Sequence, residues 1–377
     1  MAAKKYPFLR PRPPRLSELG DELREIEASG VYSNFGPVSR RAESALVEGL
    51  FDGVGAALLV ANATLGLMIA IREAAGGSRA GGYALMPAYC FAATAQAALW
   101  AGLTPLLCDI DPGTWSAGAA AEDELLERYG DQVKCVVPYS CFGGGLDEAR
   151  YRRLHDSGMP VVVDAAASLG WRDERGATLG SGAPFATIYS MHVTKTFATG
   201  EAGLIYSSHE ELIGRLRSMA NFGFDSARVV RSEGLNAKAT EHAALLVLQM
   251  AARLEAVAAH RSMLAERYRE RLPRLGAQST RSAATPYQFM PLLLPTDLAA
   301  RRDAIVTALA ARGIEARTYF SPHLAQHPYI AQVSVSGDLT ATDDVAARSL
   351  SLPLAEEMTL TDVDAIAAAL NEILDAS

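Results

Sequence analysis

A chain of 377 residues is longer than one compact core usually encloses, so two domains are expected. Its composition, 49% hydrophobic and 21% charged, is that of an ordinary soluble globular protein. A net charge of −8 argues against a nucleic-acid or polybasic membrane partner, and no apolar run reaches transmembrane length.

The first sixteen residues carry charge and prolines but no apolar signal core, which points to a cytoplasmic protein. Residues 16–28 alternate at helical spacing and stop at Gly30. Residues 31–37 (VYSNFGP) read as an ordered loop, and 40–50 as a second helix. From Ala56 the pattern becomes strand, small-residue turn, helix, and then repeats. Strands are expected at 57–61, 83–86, 105–108, 133–138, 160–164, 185–190 and 203–207. Helices are expected between them at 65–75, 92–100, 122–129 and 146–155. This alternation predicts an α/β fold with a mostly parallel sheet covered on both faces. The ligand then belongs beyond the carboxyl ends of the strands, where Asn62, Pro87, Asp164 and Ser190 all fall.

From Thr240 one long helical pattern runs to about Leu272, suited to a helix that leaves one domain and enters another. Beyond it, 287–294, 299–312, 314–319 and 361–374 alternate strand and helix as a smaller α/β domain. The division expected is 1–255 and 256–377. Cys90, Cys108, Cys135 and Cys141 form no CxxC pair and read as buried reduced thiols, with neither a disulfide frame nor a metal site.

The stretch 189–203 (YSMHVTKTFATGEAG) sets Lys195 among small and hydroxylated residues just after a strand. Asp164 closes another apolar run and is followed by three alanines. A strand-end carboxylate and a lysine after the next strand are what pyridoxal phosphate (PLP) needs: an amine for the Schiff base and an anion for the pyridinium nitrogen. Alone, the pair also fits a surface lysine and a strand-end aspartate. Thr64 begins a helix after a strand, where free N–H groups suit a phosphate, although an N-cap threonine would look the same. Ser190 can add a hydroxyl to that phosphate, and Phe91 can lie flat on a cofactor ring or simply belong to the core.

Over nearly its whole length the chain resembles the DegT/DnrJ/EryC1/StrS family of PLP-dependent nucleotide-sugar aminotransferases, of fold type I. The resemblance rests on SNFGP, NATLGL at 62–67, PAYCFAAT at 87–94, AGLTPLLCDIDPGTW at 101–115 and CFGGGLD at 141–147. It continues with DAAASLG at 164–170, SMHVTK at 190–195, GLNAKATEHAA at 234–244 and SLSLPL at 349–354. It implies Lys195 as the Schiff-base lysine, Asp164 as the pyridinium partner and Phe91 as the stacking aromatic. It implies Ala63, Thr64 and Ser190 as phosphate ligands, joined by Asn236 from the neighbouring subunit of a homodimer. Glutamate is the implied amino donor, and a nucleoside-diphosphate 4-keto-6-deoxy sugar the implied acceptor.

The chain departs from the family pattern at several positions. Ala167 stands where a glutamine usually bonds the cofactor's phenolic oxygen, Leu169 and Ser140 stand for histidines, Ala202 for a glycine, and Ala220-Asn221-Phe222-Gly223 for Arg-Asn-His-Gly. Several of these are expected on the substrate and phenolic-oxygen side of the site. Two other readings are a PLP enzyme acting on a non-sugar ketone, and a dehydratase or non-catalytic regulatory homologue. Dehydrating members carry histidine in place of the lysine, so Lys195 weighs against that role.

Overall fold

The computed structural model describes residues 5–77 and 81–376. Helix α1 (Gly20–Ser29) ends at Gly30, whose φ of 66° supplies the left-handed cap, and α2 (Pro37–Leu50) opens on a proline. The alternation then runs β1 (Ala56–Val60), α3 (Ala63–Ala74), β2 (Tyr83–Pro87), α4 (Ala92–Trp100) and β3 (Thr104–Cys108). It continues with α5 (Ala119–Tyr129), β4 (Val133–Val136), α6 (Glu148–Asp156), β5 (Val162–Asp164), β6 (Ala186–Ser190) and β7 (Gly203–Ser207). After these come α7 (Glu210–Met219), α8 (Glu241–Ala251), α9 (Leu254–Arg271), β8 (Gly276–Ala277) and β9 (Met290–Leu293). The chain closes with α10 (Arg302–Ala311), α11 (Pro328–Val333), β10 (Val335–Ser336), α12 (Thr340–Arg348), β11 (Ser349–Leu352) and α13 (Leu360–Asp375).

Two four-stranded ladders, β1-β7-β6-β5 and β10-β3-β2-β4, are joined through parallel bridges from Val136 to Val161 and from Tyr139 to Asp164. The joined sheet is parallel apart from β7, which runs against both neighbours. Alternate strand residues feed two cores. Leu58, Val60, Ile188 and Ile205 face one side, with α3, α4 and α7. Leu59, Tyr189, Leu204 and Tyr206 face the other, with α2 and α8. Burial on both faces explains why these strands read as continuous apolar runs. A separate antiparallel sheet, β11-β9-β8, packs with α9, α10 and α13 in a third core.

Two expectations need correction. The pattern 240–272 is not one helix: it breaks at Ala252-Arg253, with a 59° bend between α8 and α9. No proline or glycine forces the break. Packing accompanies it: α8 and the first turn of α9 (Leu254, Val257) lie in the core behind the large sheet, and the rest of α9 (Leu264, Ala265, Tyr268) in the core behind the small one. Residues 314–319 form no strand, because their backbone divides between two partners. Ile314 bridges Tyr6, whereas Arg317 bridges Ser351. The four cysteines are free and buried, as expected.

Candidate active site

The site begins where β1 meets α3. Asn62 is the N-cap, its Oδ1 accepting from Leu65 N at 2.9 Å. The N–H groups of Ala63 and Thr64 belong to the first turn and have no carbonyl behind them in the helix. With the positive end of the helix dipole they form an anion cradle. Because Asn62 is the cap, the Thr64 hydroxyl is left to the cavity. Gly203, at the start of β7, lets this turn lie close against the sheet. A Cβ there would stand 2.6 Å from Ala63 N and 2.7 Å from the Asn62 carbonyl carbon. Ser190 ends β6, two strands in from the sheet edge, with its Oγ 3.3 Å from His192 N.

Asp164 ends β5 and is 2% exposed. Its Oδ2 accepts from the Thr94 hydroxyl at 2.6 Å and its Oδ1 from Ala166 N at 3.0 Å. Burial pushes its carboxyl above the usual range, and the two hydrogen bonds and the nearby Lys195 charge oppose that push. Among the described residues it has no salt-bridge partner. A buried carboxylate held by hydrogen bonds but lacking a close cation fits a ligand that brings a charged N–H.

Lys195 follows a turn closed by its own N–H on the His192 carbonyl at 2.8 Å. Its Nζ donates to Gln288 Oε1 at 3.3 Å. Desolvation lowers its pKa below the ordinary lysine value, only partly countered by Asp164, so it is neutral more often than a surface amine. His192 shares a hydrogen bond with Thr194 through Nδ1 at 2.8 Å and stands 3.5 Å from Glu201 through Nε2.

These groups line one cavity of about 610 Å³. Of the residues expected from the sequence, Ala63, Thr64, Phe91, Asp164, Ser190 and Lys195 all border it. Phe91 does not belong to the core: it is 58% exposed at the cavity wall. Asn236 does not border the cavity; it is exposed and bridges Asn221 elsewhere on the surface. Ser140, Ala167 and Leu169 are not among the lining residues either. Ser140 is buried with its hydroxyl bonded to Gly144 O and Ser168 Oγ, and Leu169 sits in the core. Ala166 borders the cavity where Ala167 does not, because the turn after β5 points Ala167 inward. Sequence reasoning missed Thr94, Gln288 and an aromatic wall of Tyr139, Phe142, Phe289, Tyr319 and Phe320. Thr94 ends the PAYCFAAT motif and could have been found there. No local pattern marks Gln288.

Comparison with known proteins assigns the chain to the class of enzymes that move amino groups with PLP. A family model described as the DegT/DnrJ/EryC1/StrS aminotransferase family matches residues 16–371, and the chain belongs to this family. It is a PLP-dependent aminotransferase. A solved structure from Bacillus cereus ATCC 10987, provisionally named a PLP-dependent aminotransferase, is 38% identical. It superposes with a TM-score of 0.92 over 97% of this chain and 99% of its own. DesI, solved in the presence of its TDP-sugar product, is 28% identical with a TM-score of 0.85, over 99% of this chain and 95% of its own. The dTDP-4-amino-4,6-dideoxy-D-glucose transaminase of Shigella dysenteriae is 26% identical over 97% of this chain and 98% of its own.

Proposed function

We propose that the chain transfers an amino group from glutamate to a nucleoside-diphosphate 4-keto-6-deoxy sugar, with Lys195 and Asp164 as its catalytic residues. The observation that carries this reading is the convergence on one cavity of a desolvated lysine, a buried unpaired carboxylate and a free helix N-terminus. When bound, PLP supplies an electron sink that lets a proton leave the donor's α-carbon. The Ala63 and Thr64 N–H groups and the Thr64 and Ser190 hydroxyls hold its phosphate. Asp164 would keep the ring nitrogen protonated, Thr94 holds that carboxylate in direction, and Phe91 would offer its face to the ring. Lys195 Nζ would tether the cofactor, and as a neutral amine it would move the proton off the donor's α-carbon.

The acceptor is read from the other wall. Phe142, Phe289, Tyr319 and Phe320 present apolar faces suited to the C–H side of a hexose and a 6-deoxy methyl. Lys195 is the only lysine or arginine among the described cavity-lining residues, so this wall offers the diphosphate no further cation. The two relatives named above for sugar chemistry support the same acceptor class. Asn236 reaches the phosphate from a second copy, in a homodimer. To test the reading, glutamate should bleach the visible absorbance of the bound cofactor, and a dTDP-4-keto-6-deoxyhexose should restore it. Borohydride reduction and peptide mapping should then find the adduct on Lys195. Restoration by simple keto acids but by no keto-sugar nucleotide would overturn the acceptor, and an adduct on Lys134 or Lys238 would overturn the lysine.

A further inference from the structure

Gln288 is the polar side chain of the cavity that bonds Lys195 Nζ, and the roles above leave it unexplained. It lies just before β9, far along the chain from Lys195, yet two separate contacts tie the two segments together. Lys195 Nζ donates to its Oε1 at 3.3 Å, and the hydroxyl of the next residue, Thr196, donates to Pro286 O at 2.8 Å. The segment is also held from behind. Arg261, on α9 and 6% exposed, donates from one guanidinium nitrogen to the carbonyls of Tyr287 at 2.9 Å, Gln288 at 3.2 Å and Leu354 at 2.9 Å. The backbone of Gln288 is therefore fixed between the two sheets. Its side chain reaches into the cavity, and its amide nitrogen makes no hydrogen bond to a described residue.

We infer that Gln288 is a positioning residue for the Lys195 nitrogen, and that its free amide N–H is kept for an acceptor oxygen on whatever that nitrogen joins. The amide oxygen takes one N–H of the lysine and so limits the directions in which the nitrogen can point. A flexible four-carbon stem otherwise leaves that direction loose. The inference rests on reading Lys195 as the cofactor lysine. In PLP the ring carbon bearing the aldehyde is next to the carbon bearing the phenolic oxygen, so a group beside the lysine nitrogen on that side is within reach of that oxygen too. Gln288 then offers from the C-terminal part of the chain a donor that Ala167, an apolar residue turned into the core, cannot.

The other ionisable groups among the described residues lining the cavity are Asp164, Tyr139, His192, Glu201 and Tyr319. None of them is altered in the test. Protein stripped of cofactor is mixed rapidly with pyridoxal phosphate across a pH series, and the rise of absorbance gives the capture rate. Only the neutral amine reacts, so the rate climbs with pH to a plateau. Gln288→Glu sets a carboxylate against the amine, favours its charged form and should move the midpoint up by about one pH unit or more. Gln288→Leu removes the acceptor; it should move the midpoint down and slow the plateau rate on the order of tenfold through lost orientation. A side chain with only a structural role would lower the melting temperature and leave both midpoints unchanged, and unshifted midpoints overturn the inference. If Gln288→Leu fails to fold, the Gln288→Glu midpoint decides alone. Absence of capture by the unaltered protein would overturn the lysine assignment itself, whereas capture with unshifted variants overturns only the role of Gln288.

Discussion

At Asp164 burial and hydrogen bonding pull in opposite directions, and the balance can be measured. Its carboxyl titrates above the usual range in the fold, so between the ordinary aspartate value and the raised one the folded chain binds more protons than the unfolded chain. Stability of the cofactor-free protein therefore falls as pH rises through that window, and the cost persists at neutral pH. Lys195 has the opposite shift. Its folded value is depressed, so stability rises with pH between that value and the ordinary lysine range. Asp164→Asn should accordingly leave the cofactor-free melting temperature at or above that of the parent, while PLP raises it less than it raises the parent's. Its kcat should fall roughly 10²–10³-fold, the scale for losing one preorganised charge partner. Parent-like turnover of glutamate would remove Asp164 from its role. Thr94→Val should produce a smaller loss of the same kind, because Ala166 N still holds the other oxygen. The sequence makes Asp164 and Lys195 legible because each follows an apolar run directly. It hides Gln288, which acts only through a contact across 93 residues, whereas Thr94, 70 residues from Asp164, at least closes a recognisable motif.

The turn between β1 and α3 tests whether an element's terminus makes the phosphate site. Asn62→Ala removes the cap bond to Leu65 N and should cost about 1 kcal/mol of stability. It should also raise the Kd for PLP, because the first-turn N–H groups lose their fixed direction. Gly203→Ala is the sharper test. The added carbon meets main-chain atoms of Asn62 and Ala63, which cannot swing aside as a side chain would. PLP affinity should therefore drop further than with Asn62→Ala, measured by fluorescence titration; an unchanged Kd would mean the phosphate binds elsewhere. At this scale the sequence is most legible where apolar runs are bounded by small residues. Strand β7 and helix α4 fall at the expected residues, and β1 to β6 lie within one or two residues of expectation. It is least legible where tertiary packing overrides local pattern. The break at Ala252-Arg253 separates two helices that bury different faces, and Arg253 bonds both Arg12 O and Glu356 there. Strand β10 has two residues and exists only because β3 offers an edge to pair with.

At the scale of the whole molecule, the proposal that Asn236 acts in a second copy can be tested. Asn236 is exposed and does not border its own cavity, while its neighbours carry apolar surface a lone chain would not favour: Phe222, Val229 and Val230 are 45%, 42% and 60% exposed. Lys238, two residues on, lies with its Nζ 4.7 Å from the centre of the Phe222 ring. Exposed aromatic and β-branched side chains beside a cation suit contact with a second copy. An isologous dimer would carry this segment of each subunit to the other, and Lys238 could then give the donor's carboxylate the positive charge that the cavity lacks. Subunit mixing tests the arrangement. A Lys195→Ala chain lacks the amine and is inactive. An Asn236→Glu chain should be crippled by a carboxylate set beside the cofactor phosphate. If Asn236 acts across the interface, a mixed dimer has one site with both lesions and one with neither, so verified heterodimers should recover roughly half the activity of the unaltered dimer. If Asn236 serves its own subunit, each site keeps one lesion and mixing restores nothing. Failure of complementation in heterodimers isolated by two different tags would refute the shared site, and it would leave Lys195 and Asp164 untouched, since their roles depend on one chain alone.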